Sequence, residues 1–452
     1  MPTKNDILTL KITDITPDGL GVGKTDGGYV LFVAGTAPGD VIEAHVMKAE
    51  KSYGYAKAEK IITPAECRVD ADCPVFPRCG GCLYRHIRYE NELGIKKSWV
   101  LENFRRIGGF DISDIEIFSA GSPDGYRNKA QYPAGTDKDG NIRFGFYSKH
   151  THRVAPCRAC ALQPKFYADI VGAAEDFLNK YKISPYDDAT GNGLVRHLYI
   201  RNGVGSGEVM VALVINGDVL PHSDEFVAAV RDAADGVVSV MLIINKERSN
   251  VILTDKVITL WGKDGIADTL CGLRFEISPL SFYQVNHDGA ELLYGIAKKY
   301  AAVEKSDVLL DLYCGTGTIG LSMAREAKEV IGVEIIPAAV RNARENAKNN
   351  GISNAKFICA DAGKAADELS DGGVSPDVVI IDPPRRGCGA DVYGAIEKMR
   401  PEKIVMVSCN SATAARDARA FADIGYTIES LCAVDMFPRT GHVECVVLMT
   451  RK

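Results

Sequence analysis

Apolar and polar positions change their period along this 452-residue chain, and each change marks a different kind of element. Residues 7–63 alternate in short runs such as LTLKITDI and YVLFVAG, punctuated by Gly19, Gly21 and Gly23 and by a turn at 36–40. Period two with glycine punctuation predicts about five short strands closing into a small β-barrel of the OB type, a common nucleic-acid binder whose nearly balanced charge suits it to assist binding rather than dominate it. Residues 91–107, NELGIKKSWVLENFRRI, repeat instead with helical spacing, Trp99 and Phe104 among the apolar positions. Between 125 and 281 the runs LVRHLYIRN, EVMVALVIN and VSVMLIIN read as strands beside one helix at 164–181, an α+β arrangement. From residue 287 onward helices alternate with short continuous apolar runs, the pattern of a doubly wound, mostly parallel sheet. The predicted class is therefore α/β, in three parts. Residues 1–63 form the barrel, 64–90 with 125–281 a central α+β domain, and 91–124 with 282–452 a Rossmann-like domain.

The stretch 308–321, VLLDLYCGTGTIGL, organises the last part. Its apolar opening is a buried strand, and Gly315, Gly317 and Gly320 make a tight loop before a helix, a geometry that aims backbone N–H groups at a ligand. Glycines alone are a weak signal, since many such turns bind nothing. Here Asp311 precedes the loop, and Glu334 ends the next apolar run seventeen residues after Gly317, where an acid accepts hydrogen bonds from ribose hydroxyls. Asp361 closes a third run and Asp382, in IIDPP, a fourth. Four acids at strand ends suit a nucleoside carrying positive charge, as S-adenosylmethionine does and the pyrophosphate of NAD does not. The blander reading, acids as helix caps in an ordinary α/β turn, explains each residue singly but not the set.

Chemistry concentrates at the same strand ends. Cys409 stands in SCN after the run KIVMVS, Asp382 precedes Pro383 and Pro384, and Glu444 stands in GHVE before the final strand. A thiolate nucleophile, a carboxyl that orients a ring, a second carboxylate as base and a methyl donor form one consistent set for uracil C5. That carbon is too weak a nucleophile unless a thiolate first adds at C6, after which a base removes the C5 proton. A free cysteine titrates near 8.5, so this chemistry expects Cys409 to be activated by positive charge or hydrogen bonding.

Composition narrows the partners. Net charge is −6, yet residues 126–165 hold eight Lys and Arg against two Asp, interleaved with Tyr126, Tyr132, Phe144, Phe146 and Tyr147. Basic groups among aromatics describe a surface that holds phosphates and stacks bases, or else a solvated face over core aromatics. No apolar run is long enough to span a membrane and the start, MPTKND, is not a secretory signal, so a cytoplasmic protein without a membrane partner is expected. Thirteen cysteines in that setting read as ligands, a nucleophile and core residues rather than disulfides. Cys73, Cys79 and Cys82 share a Pro- and Gly-rich loop, and Cys157 and Cys160 follow later. Two CxxC pairs would make tetrahedral zinc, and three clustered cysteines plus a distant one an iron–sulfur cluster; spacing leaves both open.

Together these motifs resemble the bacterial RNA uracil-5-methyltransferase family, over almost the whole chain: a TRAM-like barrel, CPVFPRCGGC, SFYQVN, DLYCGTGTIGL, DPPRRG, SCN and FPRTGHVE. The resemblance implies an S-adenosylmethionine-dependent enzyme forming 5-methyluridine, with Cys409 as nucleophile, Glu444 as base and Asp382 on the pyrimidine. It implies methyl-donor contacts at Gln284, Tyr313, Gly315, Gly317, Glu334, Asp361 and Asp382. In the rRNA branch it also implies a [4Fe-4S] cluster on Cys73, Cys79, Cys82 and Cys160, the last preferred to Cys157 because CALQ matches the segment after the family's fourth ligand. Phe282 in SFYQVN is placed to stack on a flipped base. Two departures are the LYRH that follows CGGC, where relatives often have Gln, and the extra Cys157. The expected partner is RNA, 23S rRNA rather than tRNA, bound by a monomer. Rival classes are a cytosine or adenine methyltransferase, disfavoured by Arg385 after DPP and by the late position of Cys388, and a non-enzymatic iron–sulfur RNA-binding protein.

Overall fold

The computed structural model describes residues 1–149 and 151–452 and divides into two compact units. The first comprises 1–98, 146–155 and 437–442. Its strands β1 (Ile7–Ile15), β2 (Leu20–Lys24), β3 (Val30–Ala34), β4 (Val41–Ala49) and β5 (Tyr53–Thr63) close into a barrel in the order β1-β2-β3-β5-β4. The alternation read from the sequence is the alternation of burial: Leu10, Ile12, Leu31, Val33, Ile42, Ala44 and Val46 fill the barrel while their neighbours face outward. Gly23 is required inside, because a Cβ there would stand 2.6 Å from the Leu10 side chain.

Residues 64–88, which carry Cys73, Cys79 and Cys82, form neither helix nor strand. A buried ionic clamp fixes the end of this unit. Lys96 Nζ donates to Glu92 Oε1 at 2.8 Å, and the Arg439 backbone N–H donates to the same oxygen at 2.7 Å. Lys96 also donates to the Phe437 carbonyl at 3.2 Å.

The second unit comprises 99–145, 156–436 and 443–452. One sheet runs in the order Val257–Gly262, Val237–Ile244, Val209–Ile215, Val195–Asn202, Lys129–Thr136, Ile142–Tyr147. Two helices pack together in this α+β part, Tyr167–Lys180 and Ser223–Asp232. Only the first is legible as a helix in the sequence. The second is ten residues long and buries only Phe226, Val227 and Val230, too short a stripe to register as a period.

The other sheet has eight strands, in the order Ala355–Cys359, Glu329–Glu334, Val308–Leu312, Val378–Ile381, Lys403–Ser408, Glu444–Arg451, Tyr426–Asp435, Glu116–Ser119. The first five are parallel, so all their C-terminal ends lie along one edge. Glu444–Arg451 runs antiparallel to Lys403–Ser408, with Ser408 opposite Cys445. That inversion brings the beginning of the last strand to the edge where the parallel strands end. Strand order reverses between Val308–Leu312 and Val378–Ile381, the position at which open α/β sheets hold ligands. The mixed α/β class and the N-terminal barrel are those expected from the sequence.

Candidate active site

The loop after Val308–Leu312 is built around one carboxylate. Asp311 is buried, and its Oδ2 accepts the Gly320 N–H at 2.9 Å. A Cβ at Gly320 would come within 2.7 Å of that oxygen, so only glycine lets the loop close. Gly315 and Gly317 turn through positive φ of 56° and 81°, and between strand and loop Tyr313 takes φ 64°, costly for a side-chain residue. Asp311 Oδ1 is buried without a hydrogen-bond partner among the described residues. An orphaned carboxylate oxygen under a glycine loop fits a cationic nucleoside, and burial with Asp382 and Glu334 nearby raises its carboxyl to about 7.

The acids of the neighbouring strands take more than one role. Glu334 accepts the Gly315 N–H on Oε2 at 3.1 Å and the Ile336 N–H on Oε1 at 2.8 Å, so it braces the glycine loop and keeps only its remaining lone pairs for a ribose. Beside it Ile335 and Ile336 are exposed, an apolar shelf that the sequence reading passed over. Asp361 lies two residues beyond its strand and caps the helix Ala362–Asp371, accepting the Gly363 N–H on Oδ1 at 3.1 Å. The bland reading of Asp361 as a cap is thus realised on one oxygen, while Oδ2 accepts nothing among the described residues.

Asp382, Cys409 and Glu444 stand at the ends of three consecutive strands of the sheet. Cys409 is half-buried directly after Ser408, and Glu444 is buried one residue before Cys445, which pairs with Ser408. The three feel one another. Burial, then Glu444 and Asp382, push the Cys409 thiol above its usual range, while Arg385 pulls it down. Burial and Asp382 raise Glu444 to about 8 against the same opposing Arg385, and burial raises Asp382 to about 7. The free protein therefore does not pre-ionise its thiol, contrary to the activation expected from the sequence, because burial and two carboxyl groups outweigh one exposed guanidinium.

Arg385 is tied to the nucleophile's strand end: Asn410 Nδ2 donates to its carbonyl at 3.0 Å while Asn410 Oδ1 caps the helix Ser411–Asp423. In the sequence Arg385 distinguishes this DPP motif from that of an adenine methyltransferase. Its position beside two acids could have marked it as the local cation. Gln284 Nε2 donates to the buried hydroxyl of Tyr294 at 3.2 Å, and Asp382 and Glu444 raise that phenol further. Nothing in the sequence distinguishes Tyr294 from an ordinary core position of its helix. Phe282, two residues before Gln284, is 74% exposed.

Cys314, Cys388, Cys432 and Cys445 are buried, in keeping with core roles. Cys73, Cys79 and Cys82 belong to the first unit and Cys157 and Cys160 to the second. The Gly81 N–H donates to Cys79 Sγ at 3.3 Å, the kind of bond that stabilises a ligating sulfur. Among the described residues no three His, Cys, Asp or Glu side chains are gathered as a metal site. No described helix is long and apolar enough to cross a membrane.

Residues 204–452 match the family model described as tRNA (Uracil-5-)-methyltransferase, and residues 3–60 that of the TRAM domain. An uncharacterized RNA methyltransferase of Clostridium tetani is 38% identical over 447 residues, covering 99% of this chain and 97% of that protein. A second, from Halalkalibacterium halodurans, is 38% identical over 450 residues, covering 99% and 98%. The solved Pyrococcus abyssi tRNA (uracil-54, C5)-methyltransferase in complex with S-adenosyl-L-homocysteine matches with a TM-score of 0.76 and 28% identity over 98% of this chain and 100% of that one.

Proposed function

Because the chain belongs to the RNA uracil-5-methyltransferase family, we propose that it forms 5-methyluridine at a uridine of 23S rRNA through a covalent adduct between Cys409 and uracil C6. S-adenosylmethionine is the methyl donor, supplying an electrophilic methyl on a positively charged sulfur. The glycine loop at 315–320, Asp311, Glu334, Asp361, Tyr313 and Gln284 are the residues proposed to hold it.

In this reading the Cys409 thiol gives up its proton to solvent as Sγ bonds to C6, and the C5–C6 π electrons move through C4 onto O4. Asp382, neutral below about 7, donates to O4 and accepts from N3–H, which suits both faces of one carboxyl. C5 takes the methyl group as its bond to the donor sulfur breaks and S-adenosylhomocysteine leaves, and Glu444 in its ionised form removes the proton left on C5; a carboxyl raised to about 8 is then a stronger base than an exposed glutamate. The electrons of that C–H bond restore the C5–C6 double bond as the Sγ–C6 bond breaks, returning the thiolate. Phe282 stacks on the displaced base.

The observation that supports the reading is the pairing of Ser408 with Cys445, which brings Cys409 and Glu444 to adjoining strand ends through an inverted last strand. RNA with 5-fluorouridine at the target tests it, because Glu444 cannot remove fluorine as it removes a proton. A denaturation-resistant protein–RNA adduct at Cys409 is expected, and methylation of ordinary RNA by Cys409→Ala would end the proposal.

Support for 23S rRNA comes from the barrel joined to a cysteine loop. The likeness to the Pyrococcus abyssi enzyme supports a second reading, a tRNA uridine. Mapping 5-methyluridine in rRNA and tRNA from a deletion strain separates them. The same reading assigns the [4Fe-4S] cluster to Cys73, Cys79, Cys82 and Cys160, and a cytoplasmic monomer to the whole chain. The cluster supplies no electron to methyl transfer, so its role is to position RNA. Iron and acid-labile sulfide in anaerobically purified protein are expected, and their loss should weaken RNA binding more than methyl-donor binding.

A further inference from the structure

Three aromatic rings meet on the outside of the barrel. Phe32 on β3 and Tyr53 and Tyr55 on β5 project outward, since Leu31, Val33, Gly54 and Ala56 between and beside them are the buried positions. β3 and β5 pair in parallel with Phe32 opposite Tyr55 and Val30 opposite Tyr53. The ring centres lie 5.9 Å apart for Phe32 and Tyr53, 5.8 Å for Phe32 and Tyr55, and 5.8 Å for Tyr53 and Tyr55. Both tyrosines are 40% exposed, and neither hydroxyl is hydrogen-bonded among the described residues. A strand that needed only solubility would carry Lys, Glu or Thr here; mutually braced rings left open to water expose apolar area that a partner can cover.

Lysines border the rings. Across the sheet Lys24 on β2 is opposite Val30, which is opposite Tyr53; Lys48 on β4 is opposite Tyr55; and Lys57 follows Tyr55 on the same face of β5. Lys48 and Lys57 pair with Glu50 at 2.6 Å and Glu59 at 3.1 Å, while Lys24 makes no ion pair among the described residues. Rings flanked by ammonium groups on different strands match alternating bases and phosphates of an unpaired strand.

We propose that Phe32, Tyr53 and Tyr55 form a stacking platform for unpaired bases of single-stranded RNA, with Lys24, Lys48 and Lys57 on the phosphates. The proposal rests on RNA being the substrate and adds to it a second site of contact, remote in sequence from Cys409. Duplex RNA, whose bases are already stacked, gains little from it.

Fluorescence anisotropy of a short labelled single-stranded oligoribonucleotide and of its duplex, with the full chain, tests the platform. Tyr53→Ala/Tyr55→Ala is expected to weaken single-strand binding about five- to hundredfold, with a smaller effect on the duplex, and Tyr53→Phe/Tyr55→Phe to retain it. Unchanged affinity in the alanine pair overturns the proposal. So does an equal loss in the phenylalanine pair, which would mean hydroxyl hydrogen bonding rather than stacking. Should the alanine pair fail to fold, Lys24→Ala decides: the salt dependence of single-strand binding should fall by about one unit of slope, and an unaltered slope counts against the site. The assay needs neither methyl donor nor Cys409. A missing fluorouridine adduct therefore removes the catalytic reading alone, and unchanged anisotropy removes the platform alone.

Discussion

Arg201 holds Tyr283 twice: its Nη2 donates to the Tyr283 carbonyl at 3.0 Å, and its guanidinium carbon lies 5.6 Å from the centre of the Tyr283 ring. Its Nη1 donates to the Ser281 carbonyl at 2.8 Å, so one buried cation grips the backbone on both sides of exposed Phe282. Asn128 continues the grip, donating its side-chain amide to the Gln284 carbonyl at 2.9 Å and its N–H to Val285 at 2.8 Å. The SFYQVN loop is thus held from behind, with Tyr283 and Asn286 buried and Phe282 exposed.

Arg201→Met keeps the length and removes the donors, leaving two buried carbonyls unpaired. Urea unfolding should show a loss of about 2–4 kcal/mol, with weaker S-adenosylhomocysteine binding through the displaced Gln284. Arg201→Lys, which can reach one carbonyl, should fall between parent and Met. Loss of less than about 0.5 kcal/mol in the Met variant, the size of an ordinary surface change, would show that the grip is dispensable.

Gly320→Ala places a methyl group 2.7 Å from Asp311 Oδ2. The loop must open to relieve it, at a cost of about 1–3 kcal/mol. Calorimetry should then show S-adenosylhomocysteine binding weakened at least about tenfold, the equivalent of about 1.4 kcal/mol. Parent-like affinity would mean that the loop does not touch the methyl donor.

Buried acids whose carboxyls are raised hold protons in the folded chain that the unfolded chain releases. Stability from Asp382 is complete below its ordinary 3.8 and is lost as pH rises to about 7, and from Glu444 between 4.5 and about 8. Each contributes a downward slope of up to about 1.4 kcal/mol per pH unit within its window. Thermal melts of the ligand-free protein should therefore fall from pH 5 to pH 8, and Glu444→Gln should flatten the upper part of that fall. A melting temperature that climbs over this range would refute the assignment.

Removing Glu92 takes the carboxylate at 2.8 Å away from the buried Lys96 ammonium of the first unit. Breaking one side of such a buried pair costs about 3–5 kcal/mol, so Glu92→Ala should lower the urea midpoint sharply. Lys96→Met/Glu92→Leu, which removes both charges, should recover part of the loss. Equal stability of Glu92→Ala and parent would show that water already reaches the clamp.

The sequence shows these regions unequally. Strand, glycine loop and helix at 308–323 are readable because continuous apolar runs and glycines are local signals, and the barrel is readable from its period of two. Cys409 and Glu444 are visible as candidates, but their neighbourhood depends on the last strand running backwards, which no short-range pattern encodes. Arg201 looks like one more charge in a strand, and only the fold reveals that all of Val195–Asn202 is buried. The direction in which Cys409 titrates is hidden from the sequence for the same reason. Its shift comes from burial and from residues 382 and 444, distant in sequence.

Glu116–Ser119 lies parallel to Tyr426–Asp435 and forms one margin of the eight-stranded sheet. Glu116–Ser119 is therefore completed by a strand far later in the sequence, and that margin cannot zip up until both have been synthesised. A fragment begun downstream, at residue 282 for instance, would present Tyr426–Asp435 with bare backbone amides and invite end-on polymerisation. Anyone seeking a minimal enzyme should keep that early segment, either in its native place or grafted back beside Tyr426–Asp435.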